Sequence, residues 1–156
     1  MKTKTLLLAA AAALASCSST SVSATSYRTA TEREAINIPG RSLAAVYSNA
    51  VRAGDTVYLS GKLGIDPETG QIPPRIEDEV RIIMDGLAEV LAAAGLTMND
   101  LVSVTVFCTD PALYDQFNAV YGTYFDGDFP ARAFIGSGPL LRGAHFEVKG
   151  IAVRSH

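Results

Sequence analysis

Two apolar stretches near the end of the chain decide the fold: Phe129-Pro130-Ala131-Arg132-Ala133-Phe134-Ile135 and His145-Phe146-Glu147-Val148-Lys149-Gly150-Ile151-Ala152-Val153. A Gly/Pro-rich segment separates them, which predicts two strands joined by a turn. Arg132 comes early in the first strand and Glu147 in the middle of the second. If the strands pair, the two side chains can meet on one face. They could then form either a small anion-binding, water-activating site or a plain cross-strand ion pair.

The upstream sequence predicts a hairpin and a long helix. Leu43 to Val51 and Thr56 to Ser60 are β-rich runs joined through a turn at Gly54-Asp55. From Ile76 to Ala94, apolar residues recur at helical spacing, acidic residues occupy the first turns, and Gly95 follows as a stop. One face of this helix must therefore pack on the sheet.

A further strand and helix follow. Leu101 to Cys108 predicts a strand with Val102, Val104, Val106 and Cys108 on one face. We therefore expect Cys108 to be a buried apolar residue rather than a reactive thiol. Asp110-Pro111 predicts a helix start, with a capping carboxylate and a proline at the first position. The order β-β-α-β-α-β-β predicts an α+β domain, with two helices on one face of a mixed sheet that is parallel in part.

The N-terminus has the layout of a secretory signal. Lys2 and Lys4 precede an apolar run from Leu6 to Leu14 that is too short to span a bilayer, and small residues follow it. Residues 1–16 are therefore predicted to be a signal peptide. Residues 17–34 are predicted to be a modified cysteine and a flexible Ser/Thr/Ala-rich tether, and residues 35–156 the folded domain.

The end of the predicted signal resembles a bacterial lipobox. In Leu14-Ala15-Ser16-Cys17 the cysteine stands where cleavage would occur and where the thiol would carry a diacylglycerol. Ordinary cleavage at Ala13-x-Ala15 is the alternative. The first reading predicts an exported lipoprotein that is anchored to a membrane in the bacterial periplasm, because several acyl chains on one residue give stable anchoring.

Composition disfavours nucleic-acid and metal chemistry. The formal charge is −3 and the basic residues are scattered, so the chain lacks the basic stripe that nucleic-acid binding uses. The only histidines, His145 and His156, lack zinc-site spacing. Asp66 and Glu68 lie in the turn-rich segment 66–70, and a solvated turn explains them better than a metal loop. We therefore expect no metal and no cofactor.

Seven short stretches, taken together, resemble one family. They are Val57-Tyr58-Leu59-Ser60-Gly61, Asp66-Pro67-Glu68-Thr69-Gly70, Ala92-Ala93-Ala94-Gly95-Leu96, Val104-Thr105-Val106-Phe107, Phe117-Asn118-Ala119-Val120-Tyr121, Phe129-Pro130-Ala131-Arg132-Ala133 and Gly150-Ile151-Ala152-Val153. In order and spacing they resemble the YjgF/RidA family, small homotrimeric Rid proteins with a chorismate-mutase-like fold. The resemblance covers nearly the whole predicted domain.

The resemblance assigns roles to particular residues. Arg132 matches the arginine that grips the carboxylate of a 2-imino acid, and Glu147 matches the glutamate that positions the attacking water. The other matched or neighbouring substrate-binding positions are Tyr47, Ser60, Gly61, Asn118 and Phe134. The implied activity is hydrolytic deamination of reactive 2-imino and enamino acids to 2-keto acids and ammonia, in clefts between subunits. The alternative is a non-catalytic Rid protein that binds small carboxylates or acts like a chaperone.

Three departures from the family pattern bear on specificity. Phe134 stands where many members have cysteine, which changes the pocket shape without removing the implied chemistry. Lys62 replaces a glutamine that is common after Ser-Gly, and this cation near the mouth could alter substrate choice. Lys149 stands where a second acidic residue is frequent. If Phe134 and Phe146 desolvate Glu147, they would favour its action as a general base, whereas a nearby Arg132 would favour the charged carboxylate.

Overall fold

The structure, a computed structural model, describes residues 32–38 and 46–154. The predicted signal peptide, Cys17 and nearly all of the predicted tether lie outside these residues, as does the first part of the predicted strand from Leu43 to Val51. Within the described ranges, no helix has the length and apolarity needed to cross a membrane.

The described chain forms one mixed sheet of seven strands. The strands are β1 Arg33–Ile36, β2 Ala50–Ala53, β3 Thr56–Leu59, β4 Lys62–Leu63, β5 Leu101–Cys108, β6 Ala131–Gly136 and β7 Phe146–Val153. Their order is β1-β2-β3-β7-β5-β6, and β4 also pairs with β7, beyond the end of β3. All neighbours are antiparallel except β5 and β6. The predicted mixed α+β sheet is therefore confirmed.

The prediction that the last two strands pair is wrong. β5 lies between them, with Val104 in register with Arg132 of β6 and with Gly150 of β7. The connection from 137 to 145 crosses the end of β5, where the Ser137 amide donates to the Cys108 carbonyl at 2.8 Å. Placing β5 in the middle pairs both of its edges and buries its apolar face, so it satisfies more backbone groups than a closing hairpin would.

The predicted first hairpin forms, but its first strand is short. β2 begins at Ala50, and 46–49 is irregular. Side chains hold that stretch, because Asn49 Oδ1 accepts from the Ile38 amide at 3.0 Å and Ser60 Oγ donates to the Ser48 carbonyl at 2.7 Å. The sequence did not predict β1, which pairs with β2 and includes two residues assigned to the tether. Its two charges and short length leave no strand periodicity to detect.

Two helices pack on the same face of the sheet, as predicted. α1 spans Ile76–Ala93 and α2 spans Tyr114–Tyr121, with a 3₁₀ turn on either side of α2. Asp110 caps the first of these turns, where its carboxylate accepts from the Ala112 amide at 2.9 Å. The largest fully buried side chains lie between helices and sheet and include Phe117, Phe146, Ile83, Met84, Leu87, Leu91, Val106 and Val148.

The predicted apolar face of β5 is correct except at its start. Val104, Val106 and Cys108 are buried, whereas Val102 is 48% exposed because a register shift between Leu101 and Ser103 turns it outward. Burial raises the pKa of the Cys108 thiol, which donates to the Asp110 carbonyl at 3.0 Å. Cys108 is thus the buried residue that the sequence predicts.

The segment 66–70 forms a solvated turn. Asp66 Oδ1 accepts from the amides of Glu68 and Thr69 at 2.8 and 3.0 Å, and Gly70 takes a positive φ of 71°. The bonds from the Thr69 and Glu68 amides lower the pKa of Asp66. Turn formation alone therefore accounts for the Asp66 carboxylate.

Candidate functional site

The Arg132 side chain lies in a nest of aromatic rings. Its guanidinium carbon is 4.6 Å from the ring centroid of Tyr121, 5.7 Å from Tyr114, and 5.9 Å from both Phe117 and Phe134. Three of the rings come from α2 at helical spacing, and Phe134 is two residues along β6 on the same face. Cation–π attraction therefore holds the guanidinium. We call Arg132, these four residues and Asn118 the arginine cluster.

The arginine cluster opens into a cleft of about 320 Å³, lined by Asn118, Tyr121, Gly122, Phe129, Pro130 and Arg132. Arg132 contacts the Tyr114 hydroxyl at 3.4 Å, and within the described residues its contacts are aromatic rather than acidic. Burial raises the pKa of Tyr121, and the positive charge of Arg132 opposes that shift. An arginine held in this way retains its fork of donors for an incoming anion.

Glu147 occupies the other face of the sheet. Its neighbours in β7, Phe146 and Val148, are buried under the helices, so alternation directs Glu147 away from them. It is in register with Leu63 of β4. A Cβ on Gly61 would lie only 1.8 Å from Glu147 Oε1, so the carboxylate occupies the space that a side chain at Gly61 would need. A side chain at position 61 would therefore displace the Glu147 carboxylate.

The remaining predicted residues lie around the link between β3 and β4, where Gly61 also borders the Glu147 carboxylate. Tyr47, Ser60, Gly61 and Lys62 line a cavity of about 180 Å³ beside α1. We call Glu147, Gly61, Ser60 and Tyr47 the glutamate cluster. A Cβ on Gly86 of α1 would lie 2.2 Å from Lys62 Cε, so the lysine stem crosses the helix at this glycine.

Arg132 and Glu147 do not meet within one chain. Arg132 faces α2, because it is in register with buried Val104, whereas Glu147 is in register with Phe107 on the opposite face. The expectations of a single-face site and of a cross-strand ion pair are both wrong. The expectation that Phe134 desolvates Glu147 also fails, because Phe134 packs on Tyr114 and Phe117. The predicted site residues form two separate clusters.

The comparisons with known proteins agree with this fold. The family model described as endoribonuclease L-PSP matches residues 40–154. The chain belongs to this family, the YjgF/RidA family. The mouse 2-iminobutanoate/2-iminopropanoate deaminase is 39% identical over 109 residues, which are 69% of this chain and 81% of the relative.

Solved YjgF/RidA structures superpose on most of the chain. RidA from an Antarctic Psychrobacter species has a TM-score of 0.72 and 30% identity, and the match covers 78% of this chain and 99% of that one. Escherichia coli TdcF, solved with bound serine, has the same TM-score and coverage at 31% identity. The chorismate-mutase-like fold implied by the sequence is thus confirmed.

One buried acid of this YjgF/RidA domain escaped the sequence reasoning. Glu79, in the first turn of α1, is fully buried, and its Oε2 lies 2.7 Å from Nδ1 of His145. The sequence predicts the first-turn acids only as a signal for the start of the helix, and it assigns His145 no partner. Glu79 shares the helical stripe of Ile83 and Leu87, which is compatible with burial but does not identify the partner of the carboxylate.

Proposed function

We propose that the protein hydrolyses reactive 2-imino and enamino acids to 2-keto acids and ammonia. The arginine cluster carries this proposal, because it holds a guanidinium by aromatic contacts at the wall of a cleft. The mouse relative bears the name of a 2-iminobutanoate/2-iminopropanoate deaminase. Its substrates are carboxylates with an electrophilic C=N bond, which is the class that such an arginine suits.

Arg132 binds the substrate carboxylate in this mechanism. The planar guanidinium matches a carboxylate with two parallel hydrogen bonds, which fixes the orientation of the imine carbon. A charge-assisted contact of this kind contributes roughly 1.5–3 kcal/mol, which orients the substrate but does not by itself catalyse hydrolysis. The apolar cleft beside Arg132 then accommodates the substrate side chain.

Glu147 activates water in the same mechanism. Its carboxylate accepts a proton as the water oxygen bonds to the imine carbon, and the C=N electron pair moves to nitrogen. Nitrogen takes this proton back, which gives a carbinolamine with one hydroxyl and one amino group. Glu147 then accepts the hydroxyl proton as the C=O bond forms and passes it to nitrogen, so the C–N bond breaks and ammonia leaves. No oxidant or reductant is required. The close approach at Gly61 also brings a peptide backbone beside the carboxylate.

A homotrimer would bring the two clusters together. Within one chain Arg132 and Glu147 occupy opposite faces of the sheet, so one substrate contacts both only if a second copy supplies one of them. The face that carries Glu147 also presents Tyr58 and Ile135, which are 50% and 42% exposed. These apolar side chains suit a subunit interface. We therefore include the homotrimer with intersubunit clefts in the proposal.

The proposed location is the bacterial periplasm, with Cys17 as a lipid anchor. Its support is the sequence alone: the signal-like N-terminus and the cysteine at the lipobox position. Imines would have to arise outside the cytoplasm, for example from an amino-acid oxidase. Cys17→Ala, followed by membrane fractionation and labelling with a radioactive fatty acid, tests the anchor. A wild-type protein without label would contradict it.

A binding protein without turnover is the second candidate. The bound serine in Escherichia coli TdcF is an amino acid rather than an imine, which favours a site that recognises carboxylates generally. The arginine cluster could do this without Glu147. In that case, 2-keto acids would raise the melting temperature of wild type and of Glu147→Gln equally, and neither protein would release ammonia.

The deciding experiment measures keto-acid and ammonia release from imines generated in situ by an amino-acid oxidase. We expect Glu147→Gln to lower kcat by roughly 10²–10⁴-fold, the usual contribution of a general base. Arg132→Ala should mainly raise KM. Rates for Arg132→Ala equal to those of wild type would overturn the enzymatic proposal for this site.

A further inference from the structure

A buried carboxylate holds the start of the strand that carries Glu147. Glu79 Oε1 accepts from the amides of both His145 and Phe146, at 2.8 and 3.1 Å. Its Oε2 lies 2.7 Å from His145 Nδ1. Glu79 is fully buried, whereas the His145 side chain is 42% exposed. Three contacts from one acid thus converge on the two residues just before Glu147.

The position of Glu79 follows from where the neighbouring strand stops. β4 pairs with β7 only at Lys62–Val148 and Leu63–Glu147. Beyond Leu63 the chain leaves the sheet at Gly64, and a Cβ there would lie 2.3 Å from Glu79 Cγ. The carboxylate therefore occupies the space next to the last β4 pair and accepts the amide hydrogens at the start of β7. Because Gly64 has no side chain, it leaves space for the Glu79 side chain.

We propose that Glu79 is a positioning residue for Glu147, an inference that rests on the proposed catalytic role of Glu147. Glu79 fixes His145 and Phe146 by hydrogen bonds and packs on Gly64, so it holds both strands that flank the Glu147 carboxylate. Its hydrogen bonds go to His145 and to the backbone of Phe146 rather than to Arg132, and the Phe146 ring packs on Phe117 of the arginine cluster at 5.1 Å between ring centroids. Glu79 therefore controls the placement of the water-activating carboxylate without contributing to the binding of the substrate carboxylate.

The test uses Glu79→Gln, which keeps the size and one acceptor oxygen but replaces the other with a donor. Displacement of a reacting group by about 1 Å can cost 10²-fold in rate, so we expect kcat to fall on the order of tenfold. KM should stay within about twofold, because Arg132 is untouched. Glu77→Gln is the matched control. It lies in the same helical turn, pairs with the exposed Arg75 at 3.7 Å, and should leave both constants unchanged.

A merely structural role would not produce coupling with Glu147. We expect Glu79→Gln to have no further effect on the residual rate of Glu147→Gln, because the group that it positions is already lost. Unchanged kcat in folded Glu79→Gln, or an equal loss in the Glu147→Gln background, overturns the inference. Wild-type activity in Glu147→Gln would instead overturn the proposed function and the inference with it.

Two further measurements keep the inference falsifiable if Glu79→Gln folds poorly or the wild type proves inactive. His145→Ala removes only the Oε2 contact and should lower kcat by less than Glu79→Gln does, again with KM unchanged. A crystal structure of either variant should show the Glu147 carboxylate displaced from Gly61. A carboxylate that has not moved in the crystal, or a kcat for His145→Ala equal to wild type, overturns the positioning role.

Discussion

The arginine cluster and the glutamate cluster are held by contacts of different kinds and different sequence separations. Three of the four rings around Arg132 come from one short helix, so the arginine cluster is nearly local in sequence. Glu147 depends on Gly61 and, through the start of its strand, on Glu79, which are 86 and 68 residues away in the chain. Aromatic rings that are close in sequence are sufficient to hold a cation that binds anions. A base that must aim one water needs its backbone fixed.

The largest expected effect would show whether each cluster works alone, and mixing two variants that are impaired at substrate concentrations below KM tests this. Arg132→Ala and Glu147→Gln would be unfolded together and refolded as mixed trimers. If each site takes Arg132 from one chain and Glu147 from its neighbour, random assembly restores about one quarter of the wild-type activity, because heterologous interfaces of a closed ring repeat one pairing. Separately refolded variants, mixed afterwards, are the control. No recovery after co-refolding would contradict the shared site.

The second prediction tests how precisely the glutamate cluster must hold Glu147. Gly61→Ala places a methyl group 1.8 Å from Glu147 Oε1 and must displace the carboxylate. We expect kcat to fall by roughly 10²-fold with KM little changed, since displacements near 1 Å cost about this much. Gly138→Ala is the matched control, because a Cβ there meets no atom within 4 Å. Equal kinetics for the two variants would show that Glu147 tolerates movement.

The locality of each cluster also explains how much could be predicted from sequence. Periodicity placed α1 to within one residue of its end, and the family resemblance pointed to Arg132 and Asn118, which share one cleft. Strand order could not be predicted from the sequence, because a period-two pattern indicates which face of the sheet a residue is on but not which strand lies next to it. The face of Glu147 relative to Arg132 therefore came out wrong.

Glu79 shows a second limit of the same kind. A first-turn acid on an apolar stripe reads equally as a partner of the helix dipole or as a buried acceptor. Only the structure shows that β4 ends before it reaches His145 and Phe146, so that the amides of these two residues bond to Glu79 instead. Contacts between residues 66 and 67 apart in sequence leave no local signal.

The third prediction tests whether the arginine cluster needs the planar guanidinium of Arg132 or only its charge. Arg132→Lys keeps the charge but loses the planar fork that can hold a carboxylate with two bonds. We expect KM to rise roughly tenfold, at the lower end of the free energy of a charge-assisted bond, with kcat within a few-fold of wild type. Arg142→Lys, an exposed arginine outside both clusters, serves as the control. A large loss of kcat at unchanged KM would instead place Arg132 at the reacting carbon.

The smallest expected effect concerns a hydrogen bond between α1 and the turn that follows α2. The Tyr124 hydroxyl, just after α2, donates to Asp85 Oδ1 of α1 at 2.7 Å. Tyr124→Phe should lower the free energy of unfolding by about 0.5–1.5 kcal/mol, the net value of one such bond. Steady-state kinetics should not change, because each cluster is held by its own contacts. Altered kcat or KM would mean that this link, rather than local packing, sets the geometry.

The same tyrosine gives this last prediction a pH signature. Burial first, and then the bond to Asp85, raise the pKa of Tyr124 from 10.0 to about 12. The unfolded chain therefore releases this proton at lower pH than the folded protein, so the stabilisation is complete below pH 10 and is lost as pH rises towards 12. Chemical denaturation of wild type between these values should show stability falling with pH, and Tyr124→Phe should show a shallower fall. Identical slopes would mean that Tyr124 ionises equally in both states, and that the two helices are joined only by their apolar packing.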